Sequence, residues 1–127
     1  MRAFLSPDDL KKGDIIPTGW HPAELVDYTE ADAKTDGSTN CNFFFKVLDG
    51  PAKGNTVKRL FNEKALGFGK NLWATLGLPY DAEKGYELTT ELFKAQLGKK
   101  LMIYSKKATS TNGNDYNDVT DFRPLTQ

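Results

Sequence analysis

The sequence predicts an all-β domain, a five-stranded barrel with one or two short helices, one of them between the third and fourth strands. Three observations predict it. Aromatic and β-branched residues gather in short runs between glycine, proline and asparagine turns. A single longer stretch, Lys64 to Leu76, places apolar residues at helical spacing after three such runs and before two more. At 127 residues the chain fits one domain, residues 1–127, able to bury a core without disulfides or a structural metal.

Residues 1–18 precede the first strand as an N-terminal extension. Trp20 to Thr29 follows, with Trp20, Val26 and Tyr28 on one side, Ala23 and Leu25 on the other, and a bend near Pro22. Residues 30–40 lack apolar bulk and contain Asp36-Gly37-Ser38, so they are expected to form an exposed, mobile loop. Cys41 to Leu48 alternates most clearly: Cys41, Phe43, Phe45 and Val47 form an apolar face, and Asn42, Phe44 and Lys46 point the other way. The turn from Asp49 to Gly54 suits a hairpin, which returns Asn55 to Asn62 with Lys58, Arg59 and Phe61.

The helical stretch carries Ala65, Phe68, Leu72, Trp73 and Leu76 on one stripe and stops at Gly77 and Pro79. A second short helix starts after Thr89 or Thr90 as cap, with Glu91 in its first turn, and ends at Gly98. Lys100 to Lys106 reads as the fourth strand and residues 107–115 as a second mobile loop. Tyr116 to Arg123 makes the fifth strand, with Val119 and Phe122 inward through a bulge because their spacing is odd. Three strands, a helix and two strands is the order of an OB barrel, where the helix can plug the barrel bottom.

Charge is balanced at 17 basic against 17 acidic residues, so any attraction to nucleic acid must come from local fields. Residues 1–36 hold eight acids against four bases, a net of −4, which leaves +4 on the remainder. The longest window free of acids, Leu92 to Asn114, contains Lys94, Lys99, Lys100, Lys106 and Lys107. One cysteine, Cys41, and one histidine, His21, supply neither an internal disulfide nor a usual zinc site, so no metal or cofactor is expected. No leader-like start and no apolar run of membrane length stand in the sequence, which points to a cytoplasmic setting and no membrane partner.

No catalytic set is legible. Gly67-Phe68-Gly69-Lys70 lacks the spacing of a phosphate loop, and Asn71 stands where its Ser or Thr belongs, so it reads as helix start or packing. His21 near Glu24 has no nucleophile or carboxylate pair to complete it. Cys41 reads as a small buried hydrophobe. The chain is therefore expected to bind and not to catalyse.

Several segments resemble the small phage-encoded single-stranded-DNA-binding proteins and related uncharacterised phage replication-module proteins. They are Gly13-Asp14-Ile15-Ile16-Pro17 with Gly19-Trp20, Phe43 to Gly54, Leu97-Gly98-Lys99-Lys100, and Tyr116-Asn117-Asp118-Val119. The resemblance spans nearly the whole chain and rests on architectural patterns, not on a catalytic signature. It implies an OB fold, sequence-independent binding of single-stranded DNA in the host cytoplasm, and partners among replication or recombination proteins. The chain departs from many such binders in ending Phe122-Arg123-Pro124-Leu125-Thr126-Gln127 instead of in an acidic tail.

Holding a single strand needs a cationic groove and aromatic faces for bases. Phe44 and Lys46 with Lys58, Arg59 and Phe61 supply both on the second and third strands, and Trp20 and Tyr28 extend the platform from the first. Lys106 and Lys107 come from the loop between the last two strands, one of the two that close over nucleic acid in OB domains. The alternative for Phe44, a place beneath the helix or a loop in a thick core, stays open. The competing function is an OB module whose aromatic face holds a protein partner or a second copy of itself.

Overall fold

The computed structural model describes Arg2, residues 14–34 and residues 36–125. Most of the expected extension lies outside the described residues. In order, the elements are β1 (Gly19–Asp32), β2 (Thr39–Val47), β3 (Thr56–Asn62), a 3-10 stretch (Glu63–Gly69) running into α1 (Lys70–Thr75), α2 (Thr90–Lys94), β4 (Lys100–Thr109) and β5 (Asp115–Pro124). All five strands join one antiparallel sheet of order β3-β2-β1-β4-β5. The protein is β-dominated with few, short helices, as the residue pattern predicts.

β1 organises the sheet because it is long enough to serve two neighbours. Gly19–Glu24 pairs with β4, and Ala23–Asp32 pairs with β2. Val26 is a bulge residue between the pairs Leu25↔Phe45 and Asp27↔Phe44. One extra residue shifts the alternation by one, so Ala23, Leu25 and Tyr28 all turn inward. This corrects the expectation that Tyr28 shares a face with Trp20 and Val26. In β5 the register slips between Tyr104↔Asp121 and Ser105↔Val119, and that bulge lets Val119 and Phe122 both reach the core, as expected.

The sheet does not close into a barrel. No ladder joins β3 to β5 among the described residues, although the two edges approach one another. Side chains occupy the gap: Arg59 Nη1 stands 4.0 Å from Asp118 Oδ1.

The core centres on stacked aromatic rings. Trp73 lies 5.1 Å from Phe93 at 23°, and both touch Phe43, at 5.7 and 5.0 Å. Tyr28 and Phe61 pack on the same Phe43 ring. The expected single helix over Lys64–Leu76 is broken: Ala65 leaves helical geometry (φ −127°, ψ 29°), and the α-helical turns begin only at Lys70. Consequently Leu72, Trp73 and Leu76 are buried, but Phe68 is 81 % exposed and not part of the stripe. Gly67-Phe68-Gly69-Lys70 serves packing, because a Cβ on Gly69 would lie 2.4 Å from the Trp73 ring. α2 starts as predicted, with Thr89 Oγ1 accepting from Leu92 N at 3.1 Å.

Both expected loops are shorter than 30–40 and 107–115. Pairing runs to Asp32↔Thr39 in the first hairpin and to Thr109↔Asp115 in the second. Their arms are polar and exposed, so a ladder forms there without the apolar alternation that makes a strand visible in sequence.

Candidate nucleic-acid interface

Phe44 sits between Phe43 and Phe45, whose side chains are fully buried, and so it must point to the opposite, outer face of β2. There it is half-buried, flanked across the ladders by Asp27 on β1 and Lys58 on β3. The β4–β5 hairpin brings Asp115, Tyr116 and Asn117 to the same place. Together they bound a cleft of about 670 Å³, walled further by Val26, Thr56 and Val57. A second groove of about 280 Å³, also lined by Lys58, Tyr116 and Asn117, runs between the β3 and β5 edges past Arg59, Leu60 and Asp118.

The rim is fixed by hydrogen bonds. Asn117 accepts from Ile16 N at 2.9 Å and donates to Asp14 O at 2.8 Å, so residues 14–16 are strapped to the start of β5. Thr109 Oγ1 donates to Asp115 at 2.8 Å and Lys107 Nζ lies 3.3 Å from it. These two contacts, the Thr109 hydroxyl first, hold the Asp115 carboxyl below its ordinary range. Asp27 accepts from the Tyr28 amide at 2.8 Å. The cleft thus offers an aromatic floor and wall, one lysine and two carboxylates: a slot for a flat group, with Lys58 to meet an anion at its mouth.

The sequence-predicted residues separate into groups. Phe44 and Lys58 meet in the cleft, and Lys46 lies two residues along the same outer face of β2. Lys107 reaches the rim but is paired with Asp115, and Lys106 is exposed on β4 opposite Asp118. Arg59 belongs to the gap between the edges, its guanidinium carbon 4.4 Å over the Phe61 ring and its Nε buried without a hydrogen-bond partner among the described residues. Phe61 itself, 3 % exposed, and Tyr28, 4 % exposed, are core aromatics and present no open face to a base. The pairings Cys41↔Phe61 and Phe45↔Val57 turn odd-numbered β3 residues inward, which is why Phe61 does not share the face of Phe44. Trp20 is half-buried on the other half of β1, 5.4 Å from Tyr104 and beneath Arg123.

Tyr116 was not among the sequence candidates, although an exposed aromatic beside the suspected clamp loop is a signal that could have found it. Val26, Asp115 and Asn117 carry no such signal. Elsewhere, the Tyr28 hydroxyl donates to Glu30 Oε2 at 2.7 Å and Thr90 donates to the same oxygen. Beside them burial pushes the Cys41 thiol up, which keeps it protonated. His21 is buried, its Nε2 2.7 Å from Pro17 O. Among the described residues no His, Cys, Asp and Glu side chains are grouped to hold a metal ion, and no helix is long and apolar enough to cross a membrane.

Fold and site define a small single-sheet β domain with an open, aromatic-floored cleft on its outer face. The chain belongs to the DUF669 family, described as a protein of unknown function, whose model matches residues 8–127. The comparison with curated proteins finds no match.

Proposed function

We propose that this domain is a partly open OB barrel that binds single-stranded DNA without catalysis and with little sequence preference, serving phage replication or recombination in the host cytoplasm. The strand order supports the OB reading: β1 shared between β2 and β4, a helical segment after β3, and β3 facing β5 across a gap are the arrangement of a five-stranded, partly open Greek-key barrel. The single observation that carries the ligand is the position of Phe44. It floors a cleft on the β2–β3 face beneath the β4–β5 hairpin, the region with which OB domains hold oligonucleotides. The resemblance to phage single-strand binders points the same way.

A base stacked on Phe44 contributes about 1–3 kcal/mol, so Phe44→Ala should weaken oligo-dT binding by roughly 5- to 150-fold. With few cations at the cleft, the salt dependence should be shallow, a slope near −0.7 for each phosphate neutralised. Fluorescence anisotropy with labelled oligo-dT at low salt measures both. No binding at low salt, or equal binding by Phe44→Ala, would overturn the proposal.

One observation favours a second reading. Asp27 and Asp115 stand in the cleft and repel phosphate, which suits a basic or apolar peptide segment of a protein partner better than a polyanion. Binding of a replication or recombination protein, or self-association, that persists after nuclease treatment would favour it.

A further inference from the structure

The outer face that carries Phe44 continues along β1 to a second aromatic cluster. His21, Ala23 and Leu25 are buried, so Trp20, Pro22 and Glu24 face outward; Leu101, Ile103 and Ser105 are buried, so Lys100, Met102 and Tyr104 face outward. Register sets these residues in a row. Trp20 lies opposite Tyr104, and Met102 lies opposite both Pro22 and Arg123. Glu24 lies between Lys100 on β4 and Lys46 on β2, and Lys46 leads to Phe44.

At the far end Arg123 Cζ stands 4.1 Å over the Trp20 ring, which meets Tyr104 edge-on at 5.4 Å and 68°. Arg123 Nε is buried and has no hydrogen-bond partner among the described residues. A guanidinium held on an indole is a planar cation able to stack on a base and to pair with a phosphate at once. From Trp20 to Asp27, the β1 partner of Phe44, the strand spans at most about 23 Å at roughly 3.3 Å per residue, less the shortening at the Val26 bulge. That distance exceeds the reach of one nucleotide, and the exposed Lys100 beside it suits a phosphate passing between two stacking points.

We infer that Trp20, Tyr104 and Arg123 form a second stacking station for the same strand, joined to the Phe44 cleft by the outer face of β1 with Lys46 and Lys100 beside it. The inference rests on the single-strand reading above and adds to it a direction and a site size. A strand that fills only the cleft engages one station, and a longer one engages both.

Tryptophan emission separates the two levels. Trp73 is 2 % exposed among core rings, so quenching by added DNA reports Trp20. Titrations would use oligo-dT of about 4 and about 12 nucleotides, lengths within the range of single OB domains. The expected result is quenching by the longer oligomer and little by the shorter. Trp20→Ala and Arg123→Gln should each weaken the longer by about tenfold and the shorter by less than twofold, whereas Phe44→Ala weakens both. Arg123→Gln keeps the Trp20–Tyr104 pair intact, so it remains informative if Trp20→Ala fails to fold. Binding of the longer oligomer with Trp20 unquenched and Arg123→Gln at wild-type affinity overturns the second station while leaving the cleft standing. Absence of any binding by the wild-type chain overturns both.

Discussion

Gly69→Ala tests the packing that holds β2 and β3 in place beneath the cleft. The backbone at Gly69 (φ −93°, ψ 11°) lies in the bridge region, which an L residue such as alanine can adopt, and where the conformation is compatible adding a methyl stabilises by about 0.4–1 kcal/mol. Here the methyl would stand 2.4 Å from Trp73 Cζ2 and 2.7 Å from Cε2. The indole cannot retreat, being closed in by Phe43, Phe61 and Phe93 at 5.7, 5.4 and 5.1 Å and tied through Nε1 to Leu66 O at 2.9 Å. Overpacking of this kind costs about 1–3 kcal/mol, which outweighs the chain-entropy gain and leaves a net loss of roughly 0.5–2 kcal/mol. For a domain of this size the melting temperature should fall by about 2–8 °C. Thermal and urea unfolding would measure it beside Gly67→Ala, whose new methyl meets nothing within 4 Å and should be neutral or stabilising. Gly69→Ala melting at or above wild type would refute the reasoning.

Two further outcomes follow from the Tyr28 corner. Hydrogen bonds from Thr90 and Tyr28 hold the Glu30 carboxyl below its ordinary value. A depressed folded-state pKa adds stability that is present above the unfolded value, about 4.3, and is lost as pH falls through the folded one. Wild-type stability should therefore decline more steeply than that of Glu30→Gln on acidification below about pH 5, and parallel urea-midpoint profiles would count against this account. Because burial pushes the Cys41 thiol up, it should resist a thiol reagent in the native state near neutral pH and react at once in denaturant. Rapid native-state labelling would contradict its burial.

Period-two alternation places Phe44 outward as soon as Phe43 and Phe45 are assigned to the core, and the same logic places Lys46. These were legible because β2 is regular. Tyr28 and Phe61 were misread for separate reasons. The bulge at Val26 shifts the alternation of β1 by one residue and leaves no mark in a single sequence, whereas β3 alternates regularly and its own spacing already sets Phe61 with Val57, away from Lys58. Phe68 looked like part of a helical stripe, but a stripe is defined only if the helix is continuous, and Ala65 interrupts it.

Residue order alone determined that the domain is β-dominated, the chain order of its five strands, the inward Phe43 and Phe45 with the outward Phe44, and the cap of α2. These depend on local propensity, alternation and turn chemistry, all written within a few residues of one another. Only the tertiary structure decided that the sheet stays open between β3 and β5, that Asp115, Tyr116 and Asn117 meet Phe44 and Lys58, and that Arg123 lies over Trp20. Those meetings depend on pairing register and on the angle at which distant strands approach, quantities set by packing of the whole core and not by any one segment.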